Sequence, residues 1–134
     1  MTVAGQGGPA VGVLVVDDQA PFRCVARTLV RVAGWRLVGE ADSGEEAVAL
    51  AAVTRPDVVL MDIHLPGIDG IEATRRILAT DPTVQVVLMS TYAADDLPSD
   101  AHVCGAAAYV RKDDLSPGRL RELAVPVRAH VPRA

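Results

Sequence analysis

Residues 58–67 have the sequence Val58-Val59-Leu60-Met61-Asp62-Ile63-His64-Leu65-Pro66-Gly67, in which an apolar run ends at a carboxylate. Pro56 lies before the run, and Pro66 and Gly67 follow it, so turn-forming residues bound it on both sides. Short apolar runs of this kind are typical of strands buried on both faces of a parallel sheet. Because open α/β sheets bind their ligands at the carboxyl ends of the strands, Asp62 is a candidate site residue. The alternative is that Asp62 only caps the loop that follows it.

The same strand pattern recurs along the chain between segments of helical periodicity. Further strands are predicted over residues 11–16, 35–41, 84–89 and 106–111, and helical segments over residues 21–33, 43–54, 69–80, 93–104 and 117–127. Five strands that alternate with five helical segments predict an α/β fold, a doubly wound parallel sheet with helices on both faces.

The helix ends carry the clearest local signals. Ser43 and Glu46 have the spacing of a capping box, and Asp69 with Glu72 forms a similar start. In the first helix, helical spacing predicts a buried stripe, and the arginines are placed on the opposite face: the stripe is Phe22, Val25, Ala26, Leu29, Val32 and Ala33, and the arginines are Arg23, Arg27 and Arg31. Pro98 interrupts the fourth helical segment and Pro126 shortens the fifth.

Length and charge bound the possible functions. The chain has 134 residues, enough for one domain, which we predict over residues 11–130 between an N-terminal tail (1–10) and a C-terminal tail (131–134). The net charge is −4 and the basic residues are not clustered, so we expect no direct nucleic-acid binding by this chain.

The cysteines and the hydropathy pattern indicate where in the cell the protein acts. Cys24 and Cys104 lie far apart in no metal-ligand spacing, and we expect two buried, reduced thiols; a disulfide or a reactive thiol is the alternative. No apolar run approaches the roughly 18 residues of a membrane span, and the first ten residues lack the pattern of a signal peptide. We therefore expect a cytoplasmic protein without membrane contact.

Polar residues follow four of the predicted strands. Asp17 and Asp18 end the first strand, Asp62 the third, Thr91 the fourth and Lys112 the fifth. Because the carboxyl ends of parallel strands meet along one edge, the three carboxylates should crowd together and repel, so that each binds a proton or shares a cation. Oxygen ligands favour a hard divalent ion, for which Mg²⁺ is the natural choice. The combination indicates phosphoryl transfer to a carboxylate.

The order and spacing of these motifs resemble the receiver domain of two-component response regulators, over about residues 11–123. The segments that carry the resemblance are Asp17-Asp18, residues 61–70, Leu88-Met89-Ser90-Thr91 and Ala108-Tyr109-Val110-Arg111-Lys112. The resemblance implies a flavodoxin-like sheet with strand order 2-1-3-4-5.

The resemblance also implies a role for each residue of the site. Asp62 resembles the phosphoacceptor. Asp18, Asp62 and the backbone carbonyl of His64 resemble the Mg²⁺ ligands, and Asp17 resembles the acid that helps to hold the ion through water. Thr91 resembles the switch hydroxyl and Lys112 its ion-pair partner, while Tyr109 resembles the rotameric aromatic that reports the state. The alternatives are that Thr91 is a strand-end cap and that Tyr109 is ordinary core or surface packing.

One departure from the family pattern bears on the output. Asp113 stands where the family usually has proline, as in the subfamily with a nitrate-regulator-type helix-turn-helix output domain. Because a cis bond before a residue other than proline costs about 3 kcal/mol, we expect a trans bond between Lys112 and Asp113. Tyr92, after the switch threonine, is expected to narrow access to Asp62. His64 is expected to be a half-exposed loop residue, and an influence on dephosphorylation is the alternative.

The implied function is a phosphorylatable switch. A partner histidine kinase or phosphotransfer protein would donate the phosphoryl group, and the chain would catalyse only its own phosphorylation and dephosphorylation. The implied output is a DNA-binding transcription regulator, with a possible homodimer through the fourth helix, fifth strand and fifth helix. A stand-alone receiver and an unphosphorylated binding scaffold are alternatives. An aspartyl-phosphate phosphatase is disfavoured, because His64 stands where such enzymes usually have a second acid.

Overall fold

Five parallel strands form the sheet of this protein, whose computed structural model describes residues 11–91 and 99–125, apart from the side chain of His102. The strands are β1 (Gly12–Val16), β2 (Arg36–Ala41), β3 (Val58–Asp62), β4 (Gln85–Ser90) and β5 (Ala108–Arg111). The helices are α1 (Ala20–Val32), α2 (Gly44–Thr54), α3 (Gly70–Thr80) and α4 (Pro117–Leu123), with 3₁₀ turns at Ser99–His102 and Lys112–Asp114.

Several predictions made from the sequence fall outside the described residues. They concern both tails, Tyr92, residues 93–98 of the interrupted fourth helical segment and the chain beyond residue 125. The described half of that segment contains a 3₁₀ turn at Ser99–His102 rather than an α-helix, so the predicted helix is wrong there. Within the described residues, no helix has both the length and the apolar character needed to cross a bilayer.

The strand order is β2-β1-β3-β4-β5, with every pairing parallel, which confirms the predicted fold. β1 lies between β2 and β3, so Val16 is opposite both Ala41 and Met61. Asp62, the last residue of β3, is opposite Met89 of β4. This register aligns the carboxyl ends of the central strands at one edge of the sheet.

Two apolar layers cover the sheet, one on each face. Alternate residues of β1 enter different layers: Leu14 and Val16 pack with α2 and α3, while Val13 and Val15 pack with α1 and α4. β3 and β4 alternate in the same way, and all five residues of β3 are buried. Burial on both faces explains why β3 is a continuous apolar run rather than an alternating one.

The predicted buried stripe of α1 is wrong at two positions. Val25 and Val32 are 52% and 61% exposed, whereas Ala26, Val30 and Ala33 are buried. The buried residues lie along one line of the helix, and the two valines, seven residues apart, share a second line that faces outward.

The arginines of α1 lie on its flank rather than on a fully solvated face. Arg23 and Arg27 both form ion pairs with Glu40 of the edge strand β2, with closest N–O distances of 3.4 and 2.8 Å. Arg31, in the last turn of α1, is exposed.

The two cysteines differ in environment. Both are free thiols. Cys104 is buried as predicted, but Cys24 is exposed on the outward side of α1, so the expectation of two buried thiols is wrong for Cys24.

The predicted helix starts are confirmed in their hydrogen bonds. The Glu46 N–H donates to Ser43 Oγ at 3.1 Å, and the Glu46 side chain accepts from the Asp42 N–H at 2.9 Å. The Glu72 N–H donates to Asp69 Oδ1 at 2.8 Å. These bonds satisfy donors that a helix leaves free at its start, and they fix where α2 and α3 begin.

The first turn of α3 lies directly against the backbone of Asp62. The Gly70 N–H donates to the Ile63 carbonyl at 2.9 Å, and a Cβ atom at Gly70 would overlap the carbonyl oxygen of Asp62. Only glycine permits this approach, because both partners are backbone and neither can rotate away.

Gly70→Ala should therefore destabilise the fold by about 1–3 kcal/mol, as overpacking of a well-packed region does. Gly118→Ala is the matched control, because no atom lies within 4 Å of a Cβ there and alanine favours helix α4. Urea unfolding measures both changes. Equal stabilities of the two variants would contradict the close packing of α3 on Asp62.

Candidate functional site

The carboxyl ends of β1 and β3 bring three carboxylates together. Asp17 and Asp18 follow β1 directly, and Asp62 ends β3. One oxygen from each lies within 4.8 Å of the others. Asp17 and Asp62 are buried, whereas Asp18 is exposed. The cluster thus has two inner carboxylates and one at the solvent boundary.

Lys112, just after β5, supplies the positive charge that faces this cluster. Its Nζ lies 2.6 Å from Asp17 Oδ2 and 3.3 Å from Asp62 Oδ2. The lysine side chain is only 10% exposed. Because water screens such a pair weakly, the ammonium is a substantial counter-charge for both inner carboxylates.

Asp17 is held by its backbone and by one carboxylate oxygen. Its N–H donates to the Ala41 carbonyl at 3.0 Å, and its Oδ1 accepts from the Gln19 N–H at 2.9 Å. Arg23 Nη1 donates to the Asp17 carbonyl at 2.7 Å. The other oxygen, Oδ2, is buried, and its close partner is the Lys112 ammonium at 2.6 Å. This oxygen therefore already binds one cation, the lysine ammonium.

The negative charge of Asp62 is unfavourable in its buried position. Burial raises the pKa of Asp62, and the neighbouring charge of Asp17 raises it further, while Lys112 and the His64 N–H act in the opposite direction. The His64 N–H donates to Asp62 Oδ1 at 3.1 Å. Burial by itself would lower the pKa of Lys112, but its hydrogen bond to Asp17 and the charges of Asp62 and Asp17 outweigh burial and raise that pKa.

The donor atoms of the cluster fit a hard divalent cation. All are carboxylate oxygens, with two inner groups and one at the boundary, which suits an ion that retains several waters. Asp17 Oδ2 and Asp62 Oδ2 share the single Lys112 ammonium, so the two buried carboxylates carry one more negative charge than the ammonium can balance. Mg²⁺ fits this donor set. His64 lies two residues beyond Asp62, and its side chain is exposed.

The other predicted site residues lie on β4 and β5. Thr91 follows β4 and is exposed, and the next described residue is Ser99. Tyr109 lies in β5 opposite Leu88, half-buried against the layer that contains α2 and α3. The Lys112–Asp113 bond is trans, since the described residues contain no cis bond, and Asp113 belongs to a 3₁₀ turn.

Two residues that support the site were not predicted for it. The Phe22 ring, assigned from the sequence only to the apolar stripe of α1, lies under the Lys112 ammonium. Glu45 Oε2 accepts from the Ile68 N–H at 3.1 Å and so holds the loop that follows Asp62. The first-turn positions of both residues could have signalled a role near the strand ends.

Comparison with known proteins agrees with this geometry. The response regulator receiver domain family matches residues 13–124. Response regulator GacA of Pseudomonas aeruginosa is 43% identical over 103 residues, which cover 76% of this chain and 48% of GacA. The chain therefore spans about half the length of this curated relative.

Two solved structures extend the comparison. The signal receiver domain of the putative response regulator NarL from Mycobacterium tuberculosis has a TM-score of 0.74 and 32% identity, covering 84% of this chain and 91% of that one. A chain of the CheX–CheY–BeF3–Mg²⁺ complex from Borrelia burgdorferi has a TM-score of 0.75 and 26% identity, covering 84% of this chain and 85% of that one. From the family match, the relative and the fold, we conclude that this chain belongs to the response regulator receiver domain family.

Proposed function

We propose that Asp62 accepts a phosphoryl group from a partner histidine kinase or phosphotransfer protein. The observation that carries the proposal is the buried pair Asp17 and Asp62 with Lys112 between them. A purely structural ion pair would need one carboxylate, and the second one makes the site electrostatically unfavourable without a further cation. We propose that residues 11–130 form the single receiver domain that accepts the phosphoryl group.

The proposed chemistry is in-line transfer to a carboxylate oxygen. An oxygen of Asp62 forms a new bond to phosphorus while the bond from phosphorus to the donor nitrogen breaks, and the nitrogen leaves with the electron pair. The Lys112 ammonium is placed to neutralise charge that develops on the phosphoryl oxygens. Asp17, Asp18, Asp62 and the carbonyl of His64 are the proposed Mg²⁺ ligands. Bound Mg²⁺ supplies charge neutralisation at the phosphoryl oxygens.

The proposed response is a shift between two populations of the loops after β4 and β5. The acyl phosphate would attract the Thr91 hydroxyl and the Lys112 ammonium. Thr91 and Lys112 directly follow β4 and β5, which lie side by side, so their movement can change the packing of Tyr109 on β5. In this proposal the chain has no turnover substrate, and its only reactions are its own phosphorylation and dephosphorylation.

The proposed output is regulation of transcription by a DNA-binding partner domain. Similarity to a DNA-binding response regulator of the LuxR family from Staphylococcus aureus supports this output, as does Asp113 in the position after Lys112. A homodimer through the face that contains β5 is part of the proposal. A stand-alone receiver and an unphosphorylated scaffold remain the alternatives, and the reading frame beyond Ala134 distinguishes the first of these from a DNA-binding regulator.

Acetyl phosphate with Mg²⁺ should add a single phosphoryl group to the chain, seen by intact mass. Asp62→Asn should lose the adduct, because an amide is not a nucleophile for phosphorus. Asp113→Asn, which removes an exposed carboxylate next to Lys112, should keep it. An unmodified native chain, or an adduct that survives Asp62→Asn, would refute the assignment of Asp62.

Without metal, Asp62→Asn should unfold at a higher urea concentration than the native chain at pH 7. A raised pKa in the folded state means that the stability present at low pH is lost as the pH rises through that pKa. Mg²⁺ at ten times its Kd should stabilise the native chain by about 1.4 kcal/mol and Asp62→Asn by less. Asp113→Asn serves as the control and should behave as native. Equal Mg²⁺ stabilisation of all three proteins would argue against the proposed metal site.

Lys112→Ala should still accept the phosphoryl group but should not switch, because the ammonium links the phosphoryl group to β5. Backbone amide shifts of Tyr109 and Val110 on phosphorylation are the measurement, since both residues lie on β5. The native chain should show shifts that Lys112→Ala lacks. Native-like shifts in Lys112→Ala would assign the coupling to another group.

A further inference from the structure

We propose that Phe22 is a positioning residue for Lys112, whose aromatic face keeps the ammonium beside Asp62 when the two inner carboxylates bind a metal ion. Lys112 Nζ lies 4.6 Å from the centroid of the Phe22 ring. This distance is within the range of a cation–π interaction, in which the negative face of the ring attracts the cation. The inference rests on the function proposed for Asp62 and Lys112.

The ring is a third partner of the ammonium, besides Asp17 and Asp62. The two carboxylates that bind Lys112 are also proposed metal ligands. A divalent cation shared between them would reduce their attraction for the ammonium and would itself repel it. The ring carries no net charge and offers no ligand atom to Mg²⁺. Of the described contacts of the Lys112 ammonium, the one with the Phe22 ring is therefore the one for which a bound metal ion does not compete.

Hydrogen bonds hold the backbone of Phe22 close to the site. Phe22 lies in the first turn of α1, where its N–H donates to the Gln19 carbonyl at 3.1 Å. The Gln19 N–H in turn donates to Asp17 Oδ1, and the next side chain, Arg23, donates to the Asp17 carbonyl. The Phe22 backbone, from which the ring projects, is thus connected through two hydrogen bonds to a carboxylate of the cluster itself.

The packing of Phe22 leaves a face for the lysine. The residue is half-buried, packed against the apolar layer of α1 and α4, so the layer holds the ring without enclosing it. An aliphatic side chain in the same place would fill the layer but would present no negative face. The identity of the residue, and not only its apolar character, is what the inference requires.

The chain composition permits a clean test, because Phe22 is the only phenylalanine and Lys112 the only lysine. Phenylalanine analogues with increasing numbers of ring fluorines, incorporated in an auxotroph, alter Phe22 alone. They weaken the negative ring face stepwise while nearly conserving its shape. The rate constant of phosphorylation by acetyl phosphate at saturating Mg²⁺ should fall with each fluorine, and Phe22→Leu should be about threefold to tenfold slower than native.

Two variants separate the electrostatic contribution of the ring from its packing. In Lys112→Ala, the same fluorine series should give a constant rate, because no cation faces the ring. Leu29→Ala, which removes packing from the same helix and the same apolar layer, should retain the native rate. A constant rate in the native background, or an equal decline in Lys112→Ala, would overturn the role of Phe22.

Lysine labelled with ¹³C and ¹⁵N provides a readout that does not require phosphorylation. The ring current of Phe22 should shift the ε-methylene signal of Lys112 away from its value in Phe22→Leu, both without metal and with Mg²⁺. Loss of this difference on adding Mg²⁺ would overturn the inference. If the native chain forms no adduct, the proposed function fails, and the lysine spectra still decide whether the ring holds the ammonium.

Discussion

Mutual repulsion between buried carboxylates is the constraint on which the rest of this structure depends. Asp17 and Asp62 lie inside the protein at one edge of the sheet, and the single ammonium of Lys112 faces both. One positive charge does not compensate two negative ones, so the folded state tolerates a site that is unfavourable on its own. The two apolar layers on the sheet supply the stability that offsets it. A site held in this state is suited to bind a cation and to react with an electrophilic phosphoryl group.

The first turns of the helices hold the site from outside. In α1, Arg23 binds the backbone of Asp17; in α2, Glu45 binds the loop after Asp62; and in α3, Gly70 contacts the carbonyl of Asp62. Each of these contacts is to a backbone group of Asp17, Ile68 or Asp62, so none of them occupies a carboxylate oxygen of the site. Rigid support from neighbouring elements is what a preorganised electrostatic site requires, because little reorganisation is then needed during reaction.

The elements predicted correctly are those whose sequence leaves few alternative structures. β3 was predicted correctly because a run of five residues buried on both faces has few other interpretations. The start of α2 was also predicted, since its two hydrogen bonds are local: Ser43 Oγ accepts from the Glu46 N–H, and the Glu46 carboxylate accepts from the Asp42 N–H. The predictions for Val25 and Cys24 were wrong, because helical periodicity does not say how wide a stripe the sheet covers. That width depends on how α1 lies across the strands.

The sequence by itself determined the fold class, the strand order through the family resemblance, and which residues stand at the strand ends. These features follow from local patterns and from the geometric rule that parallel strands end along one edge. Only the tertiary structure decided how the charges are shared. It placed Lys112 closer to Asp17 than to Asp62, and it brought the Phe22 ring under the ammonium. Such distances depend on how side chains from separate elements pack, a property that no local pattern contains.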